Sequence, residues 1–262
     1  MQTTLSITRS RHDPGTPDTF APAVLVLPGD VHGGTARTDH APAVEALTRH
    51  GLHTFTLKPP GTPSRHPDLL NHAQYLLDSI RAGHHGGPVD PARVAVLGFG
   101  DGGHLAALLA AGPRPPDLCI LHGPLISLTH HPDPGRAERI LGRHRSGAER
   151  RALSAENLVH DRTPPTLLWH PADSTVTPVA HSLRYAQELA RCVIDFELHI
   201  TPTDHPGDAH PGDAHTDWPA VCTRWLTRHG WAPQTAAAPS PARPGPADPR
   251  APRPAQPRAP SG

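Results

Sequence analysis

Several features that identify common classes of protein are missing from this sequence. Acidic and basic residues are equal in number, 24 of each, so the formal net charge is zero and no broad positive field would attract nucleic acid or anionic lipid. No apolar run approaches the roughly 20 residues that span a bilayer, and residues 1–18 are polar and lack the apolar core of a signal peptide. We therefore expect a cytoplasmic protein with neither a nucleic-acid nor a membrane partner.

Cysteine and lysine are also scarce. The three cysteines, Cys119, Cys192 and Cys222, are odd in number, lack the spacing of metal ligands and lie within strand-like or helix-like apolar patterns. They are predicted to be small buried apolar side chains, and the sequence predicts neither a metal nor a cofactor. Lys58 is the single lysine, whereas 35 prolines and 22 histidines are an excess that we attribute to the base composition of the genome.

The length and the apolar pattern predict one α/β domain. A chain of 262 residues is long enough for one large domain and short for two. Six runs of aliphatic and β-branched residues are typical of buried parallel strands, namely residues 23–27, 53–57, 93–97, 118–121, 166–169 and 196–200. Helical patterns lie between them, the clearest being the apolar face Leu69, Leu70, Ala73, Leu76, Leu77 and Ile80. This alternation predicts a doubly wound, mostly parallel sheet.

The ends of the chain and one loop depart from this pattern. Residues 1–20 form an N-terminal segment, residues 21–232 the predicted domain, and residues 233–262 a tail of proline, alanine, arginine and glycine that is expected to be disordered. A five-residue duplication places His205, His210 and His215 in a predicted loop between the last strand and the last helix. Binding of a divalent metal by this repeat is an alternative to a solvated loop.

The segment that says most about function runs from residue 94 to residue 107. It passes from a predicted strand through a glycine-packed turn, Gly-Phe-Gly-Asp-Gly-Gly starting at Gly98, into a predicted helix. Small residues on both sides of a central position let the strand and helix backbones approach, which is the layout of a nucleophile elbow. The glycines also match a dinucleotide-binding pattern, but this is not the first strand–helix turn and no ribose-binding acid follows at the expected distance.

At this turn the chain resembles the α/β-hydrolase superfamily, in particular its acetylesterase, xylan-esterase and dienelactone-hydrolase-like branch, whose corresponding stretch reads Gly-Phe-Ser-Ala-Gly-Gly-His-Leu-Ala. Further segments follow the family template in the same order, namely residues 27–34, 65–67, 116–118, 164–170, 197–200, 218–219 and 225–226. The resemblance covers residues 23–231, and it implies the α/β-hydrolase fold and hydrolysis of carboxylic esters.

The resemblance also implies where the catalytic triad of such an esterase would lie. The nucleophilic serine corresponds to Gly100, which has no side chain. The acid corresponds to Ser174, and Asp173 stands one residue away. The histidine corresponds to one of the three in the duplicated loop, among which we favour His205 because it lies closest to the preceding strand.

The oxyanion donors implied by the resemblance are altered as well. Two glycines of the family's loop are replaced by Asp30 and Val31, and the second donor would be the backbone N–H of Asp101. A carboxylate about 4 Å from the developing negative charge would oppose it by roughly 4 kcal/mol even at an effective dielectric near 20. The resemblance therefore implies a weakened oxyanion site.

These departures lead us to predict an inactive or weakly active homologue of carboxylic ester hydrolases, with a pocket for a small ester-like molecule. The alternative is an active ester or lactone hydrolase that uses a non-standard nucleophile such as Asp101. Centring the elbow on Asp101 would place Phe99 where a small residue must pack, which argues against that alternative. The oligomeric state is left open.

Overall fold

The computed structural model describes residues 7–10, 20–32, 40–58, 65–86, 88–131, 133–143, 145–202 and 217–231, the first range by its backbone alone. Its strands are β1 (Ile7–Ser10), β2 (Ala21–Leu27), β3 (His53–Leu57), β4 (Val89–Phe99), β5 (Cys119–His122), β6 (Thr166–Pro171) and β7 (Phe196–Thr201). Its helices are α1 (Ala41–Arg49), α2 (Asp68–Arg81), α3 (Gly100–Ala110), α4 (Pro134–Leu141), α5 (Gly147–Ala152), α6 (Ala180–Arg191) and α7 (Trp218–Arg228), with a 3₁₀ turn at Ala155–Leu158. The predicted disordered tail and the histidine repeat lie outside the described residues.

The described strands form one sheet in the order β1-β3-β2-β4-β5-β6-β7. The six predicted strands are all present and pair in parallel, which confirms the predicted sheet. The additional strand β1 pairs antiparallel with β3 at the edge of the sheet. The sequence did not predict β1, because its four residues carry no apolar run and its pairing depends on backbone hydrogen bonds.

Helices cover both faces of the sheet, as the doubly wound prediction requires. On one face α2, α3 and α6 contribute Leu77, Leu109 and Leu189 to a buried apolar cluster. On the other face α1 and α7 contribute Leu47 and Trp225 to a second cluster. Burial of this apolar surface stabilises the fold by about 25 cal/mol for each Å² removed from water. No described helix combines the length and the apolar character needed to cross a membrane.

The cysteines are free thiols within these clusters. Cys119 and Cys222 are buried in the two clusters, and Cys192 is partly buried against the first. Burial raises the pKa of the Cys222 thiol to about 12 and also raises the pKa of Cys119 well above its ordinary value. Both thiols therefore stay protonated at neutral pH, which fits the prediction that they act as small apolar side chains.

The strand register brings the carboxyl ends of the central strands to one edge of the sheet. Leu27 pairs with Gly98, and Phe99 pairs with His122, so β2, β4 and β5 end at nearly the same level. Ligands of open parallel sheets bind outside this edge. The chain between β5 and β6 carries α4, whose first turn is capped by the Asp133 carboxylate accepting from the backbone N–H of Arg136 at 3.0 Å.

Candidate functional site

The chain turns sharply where β4 meets α3. Phe99, the last residue of β4, is extended, with φ −110° and ψ 134°, and Gly100 follows with φ +49° and begins α3 without an intervening loop. Residues with side chains rarely adopt a φ in this left-handed range, and the central residue of a nucleophile elbow sits at a strained turn of this kind. The predicted strand, turn and helix are therefore present, with Gly100 at the centre.

Close backbone contact requires the glycines that flank this centre. A Cβ at Gly98 would lie 2.7 Å from the Cα of Gly103, and a Cβ at Gly103 would lie 2.7 Å from the Cβ of Pro124. A Cβ at Gly102 would overlap the carbonyl oxygen of Leu27 at the end of β2. These separations are well below van der Waals contact, so helix α3 can rest on the sheet only where side chains are absent.

Gly100 itself has room for a side chain. Among the described residues beyond its own neighbours, a Cβ at this position would meet the Cα of Gly29 at 3.8 Å and the Nη2 of Arg136 at 3.9 Å, which are ordinary contacts, although φ +49° strains any residue with a side chain. Gly100 is partly exposed, whereas its neighbours Phe99 and Asp101 are buried. The position that the resemblance gives to the nucleophile is thus open and carries no reacting atom.

Asp101 is bound by an arginine of α4. The Nε of Arg136 donates to the Asp101 Oδ1 at 2.7 Å, and the Nη2 of the same guanidinium donates to the same oxygen. The Nη2 of Arg139 lies 3.9 Å from the second oxygen, Oδ2. The Asp101 carboxylate is therefore engaged in a buried ion pair with α4, a partner that the sequence did not identify.

Arg136 also joins α4 to the turn after β6. Its Nη1 donates to the carbonyl oxygen of Val176 at 2.8 Å and to the Oγ1 of Thr177 at 2.9 Å. The Nε2 of His170 donates to the carbonyl oxygen of Thr177 at 2.7 Å, and its Nδ1 accepts from the Oγ of Ser182 at 2.7 Å. A carbonyl oxygen can only accept, which fixes this histidine tautomer. These buried hydrogen bonds form a continuous network that connects α3, α4, β6 and α6.

The Arg136→Ala variant is expected to lose about 3 kcal/mol of unfolding free energy, because it removes both hydrogen bonds to the buried Asp101 carboxylate and leaves it, among the described side chains, only the more distant Arg139 at 3.9 Å. Urea unfolding followed by circular dichroism measures this loss, and Asp101→Ala in the same chain is expected to restore most of it. Arg143→Ala is the matched control, since Arg143 pairs with Glu138 at the surface and its loss should cost at most about 1 kcal/mol. Equal losses for Arg136→Ala and Arg143→Ala would contradict a structural ion pair.

The turn after β6 contains the position of the triad acid. Asp173 is exposed, and Ser174 is partly buried, with its Oγ accepting from the backbone N–H of Thr177 at 3.4 Å. Ser174 thus supplies a turn-stabilising hydroxyl where the resemblance implies a carboxylate. His205, together with the other two histidines of the repeat, lies outside the described residues.

Residues 28–31 form a turn beside the elbow, directly after β2. The backbone N–H of Val31 donates to the carbonyl oxygen of Pro28 at 3.4 Å, and the Val31 side chain is buried in the core. Asp30 is partly exposed, and Gly29 supplies the Cα nearest to the Gly100 position. The long hydrogen bond to Pro28 partly engages the Val31 N–H within the turn, which weakens it as an oxyanion donor.

A histidine of α6 holds the loop that follows β5. The Nδ1 of His181 accepts from the backbone N–H groups of Ile126 at 3.3 Å and Ser127 at 3.1 Å, so the ring is neutral and carries its proton on Nε2. Burial, followed by the nearby Arg136 guanidinium, lowers the pKa of His181 to about 3. The same loop reaches the elbow, where the Leu125 N–H donates to the carbonyl oxygen of the elbow's central glycine at 2.9 Å.

Two further histidines near the elbow are neutral because they are buried. His104 on α3 bonds through Nε2 to the carbonyl oxygen of Leu153 at 2.8 Å, and burial lowers its pKa to about 4. His122 at the end of β5 packs against Phe99 and Trp218, with ring centroids 5.2 and 4.9 Å away, and burial lowers its pKa to about 4. Neither ring carries a positive charge at neutral pH.

A cavity of about 320 Å³ lies between the start of α2 and the α4–α5 region. Its lining is mostly apolar with one charged pair, and consists of His66, Pro67, Leu141, Arg145, Glu149, Ala152 and Leu153. One lining residue, Leu153, is linked to α3 by the hydrogen bond between its carbonyl oxygen and His104. Within the ranges that the structure describes, no three histidine, cysteine or carboxylate side chains converge as metal ligands.

The fold of this chain is similar to the folds of known hydrolases. No family model matches the sequence. A curated relative, endo-1,4-beta-xylanase B of Butyrivibrio fibrisolvens, is 26% identical over 45% of this chain, and the chain spans only 21% of that protein's length. A solved structure, an acetyl ester-xyloside bifunctional hydrolase from Caldicellulosiruptor lactoaceticus, is similar with a TM-score of 0.78 and 29% identity, covering 89% of this chain and 91% of that chain.

A second solved structure supports the same fold. A carboxylesterase from Lactobacillus plantarum WCFS1 is similar with a TM-score of 0.71 and 21% identity, covering 89% of this chain and 99% of that chain. Together with the strand order and the turn at Gly100, these likenesses identify the architecture. The chain has the α/β-hydrolase fold, and its structural neighbours include acetyl-ester and carboxylic-ester hydrolases.

Proposed function

We propose that this chain is an acetylesterase-like homologue of carboxylic ester hydrolases that has lost acyl-transfer activity and retains a site for a small ester-like molecule in the cytoplasm. Gly100 carries the proposal, because it occupies the centre of the elbow at φ +49°, is partly exposed and has no side chain. An acyl intermediate needs a nucleophilic atom at this turn. Loss of the serine from a catalytic triad lowers turnover on the order of a millionfold.

The remaining parts of the site support the same proposal. Ser174 stands at the acid position and bonds within its own turn, so it cannot orient a histidine as a carboxylate does. Val31 stands at one of the two glycine positions of the family's oxyanion loop, and its N–H is partly engaged with the carbonyl oxygen of Pro28 at 3.4 Å, which weakens it as a donor. Three separate requirements of acyl transfer, namely the nucleophile, the acid and one oxyanion donor, are therefore missing or weakened.

Nucleophilic attack by Asp101 is the alternative, and the geometry gives it less support. One carboxylate oxygen accepts two N–H bonds from Arg136, and the residue is buried. A carboxylate can attack a carbonyl carbon only if an oxygen is free to reach it, and guanidinium pairing withdraws the electron density that the attack needs. Asp101 is better suited to holding α4 against the elbow.

We expect the unmodified chain to hydrolyse p-nitrophenyl acetate no faster than buffer and to gain no mass on treatment with a fluorophosphonate. Intact-mass spectrometry and peptide mapping measure the second result. Gly100→Cys is the accessibility control: its thiol is expected to react with iodoacetamide faster than Cys119 and Cys222, whose pKa values burial raises. A fluorophosphonate adduct on any side chain of the unmodified protein would overturn the proposal.

A further inference from the structure

The elbow carries a surplus of positive charge beside Gly100. Asp101 faces two arginines of α4, Arg136 and Arg139, so the three side chains sum to one positive charge. The Asp101 and Arg136 side chains are 4% and 7% exposed, and the Arg139 side chain is 39% exposed. Charges that are removed from water in this way are screened less than surface charges, so the surplus acts strongly on a ligand at the elbow.

Hydrogen-bond donors are also left over in this group. A guanidinium has five N–H bonds, and Arg136 uses four of them, two toward Asp101 and two toward the turn after β6. The fifth belongs to Nη2, the atom that lies 3.9 Å from a Cβ built at Gly100. The Nε of Arg139 is buried and has no hydrogen-bond partner among the described residues. Donors of this kind favour a ligand that brings acceptor atoms.

The missing side chain leaves the space that such a ligand would use. Of the residues that the structure describes, apart from the adjoining ones, the Cα of Gly29 and the Nη2 of Arg136 come within 4 Å of a Cβ at Gly100. Gly100 is partly exposed, so a small molecule can approach it from solvent. Among the described residues outside the elbow's own backbone, the polar atom nearest to this space is therefore a positively charged nitrogen.

We infer that the elbow binds a small carboxylate, the class of anion that ester hydrolysis releases, in place of a reacting ester. The inference rests on the proposed function, because a serine at position 100 would occupy the same space. A carboxylate offers two acceptor oxygens and one negative charge, which match the spare N–H bonds and the surplus charge of the arginines. A neutral ester offers a carbonyl acceptor but no charge to balance that surplus.

Two other carboxylates on the neighbouring segments oppose this binding. Asp30 follows Gly29 in the turn after β2, and Asp133, which is exposed, caps the N-terminus of α4. Both are more exposed than Asp101, so solvent and salt screen them more strongly. Asp30→Asn is therefore expected to tighten carboxylate binding.

Acetate and acetamide are matched probes, because they share a shape and differ in charge. We expect acetate to give saturable saturation-transfer signals with the full chain and to raise its melting temperature at constant ionic strength. Acetamide at the same concentrations is expected to do neither. The comparison distinguishes recognition of the negative charge from binding that depends on shape alone.

Gly100→Ala tests the location, because a methyl group has room there and fills the space, at the cost of the backbone strain that φ +49° imposes on a residue with a side chain. We expect at least about tenfold weaker acetate binding with a circular dichroism spectrum like that of the parent. Arg139→Gln is expected to weaken binding several-fold. Arg143→Gln removes a surface charge two residues beyond α4 that pairs with Glu138, and it is expected to leave binding unchanged.

Equal binding of acetate and acetamide, or acetate binding that Gly100→Ala leaves unchanged, would overturn the inference. The inference and the proposed function fail by different observations. A fluorophosphonate adduct on the parent protein contradicts the loss of acyl transfer whether or not acetate binds. Equal binding of the two probes contradicts the carboxylate site whether or not an adduct forms.

Discussion

Gly100→Ser combined with Ser174→Asp and Asp30→Gly is expected to raise p-nitrophenyl acetate hydrolysis by about a thousandfold over the parent chain. The serine Cβ fits at the elbow, since its nearest contacts beyond the adjoining residues are 3.8 and 3.9 Å. The aspartate returns a carboxylate to the turn after β6, and the glycine removes a negative charge beside the oxyanion position. Ester hydrolysis and fluorophosphonate labelling measure the gain.

The control for this experiment carries alanine in place of the new serine, with the other two substitutions kept, and it is expected to be inert. If the serine variant folds without activity, Asp101→Ala and Arg136→Ala are added to it, because Arg136 Nη2 lies 3.9 Å from the new Cβ and can bind the serine hydroxyl. If activity appears only after these two substitutions are added, the ion pair between Asp101 and Arg136 is what inhibited the serine variant. Inactivity of both folded variants would show that Gly100 is not the main reason for the loss.

Acidification from pH 7 to pH 5 is expected to remove several kcal/mol of unfolding free energy. The pKa values of His104 and His122 are about 4 and that of His181 is about 3, all lowered by burial from an ordinary 6.5. The unfolded chain therefore takes up these protons below pH 6.5 while the folded chain does not. Their contribution is complete above pH 6.5 and decreases as the pH falls toward 4 and 3, by about 2 kcal/mol for each histidine at pH 5. Urea unfolding at a series of pH values measures this slope.

The His181→Asn variant measures how much one histidine contributes to the loss of unfolding free energy on acidification. The Oδ1 of asparagine can take the place of Nδ1 and accept from the backbone N–H groups of Ile126 and Ser127, but it cannot be protonated at these pH values. We expect the loss of unfolding free energy between pH 6.5 and pH 5 to decrease by about 2 kcal/mol, the contribution of His181. His181→Ala should instead destabilise the protein at every pH, since the two N–H groups lose their acceptor. An unchanged slope in His181→Asn would contradict this role.

The parts of the fold that depend on local patterns could be predicted from the sequence. Buried parallel strands need continuous apolar runs, and all six runs are strands in the structure. The elbow was predictable because close packing of a strand against a helix demands glycine at fixed positions, and Gly98, Gly102 and Gly103 meet that demand. In both cases the physical requirement acts on residues that are neighbours in the chain.

Contacts between distant segments could not be predicted in the same way. Arg136 is 35 residues from Asp101, and nothing in its own surroundings distinguishes it from the other arginines. A carboxylate among buried glycines and alanines does indicate that a cation must lie nearby, but it does not say which one. His181 gave no signal either, because an imidazole that accepts two backbone N–H bonds has no characteristic spacing.

The pairing of Asp101 with Arg136 has a consequence for the history of the protein. A lineage that replaced both residues by single mutations would have to change them one at a time, and either order passes through an ancestor in which a buried charge has lost its hydrogen-bonded partner. Selection against such unstable ancestors makes the present state difficult to leave. The ion pair is therefore expected to persist in descendants of this protein, whether or not they cleave esters.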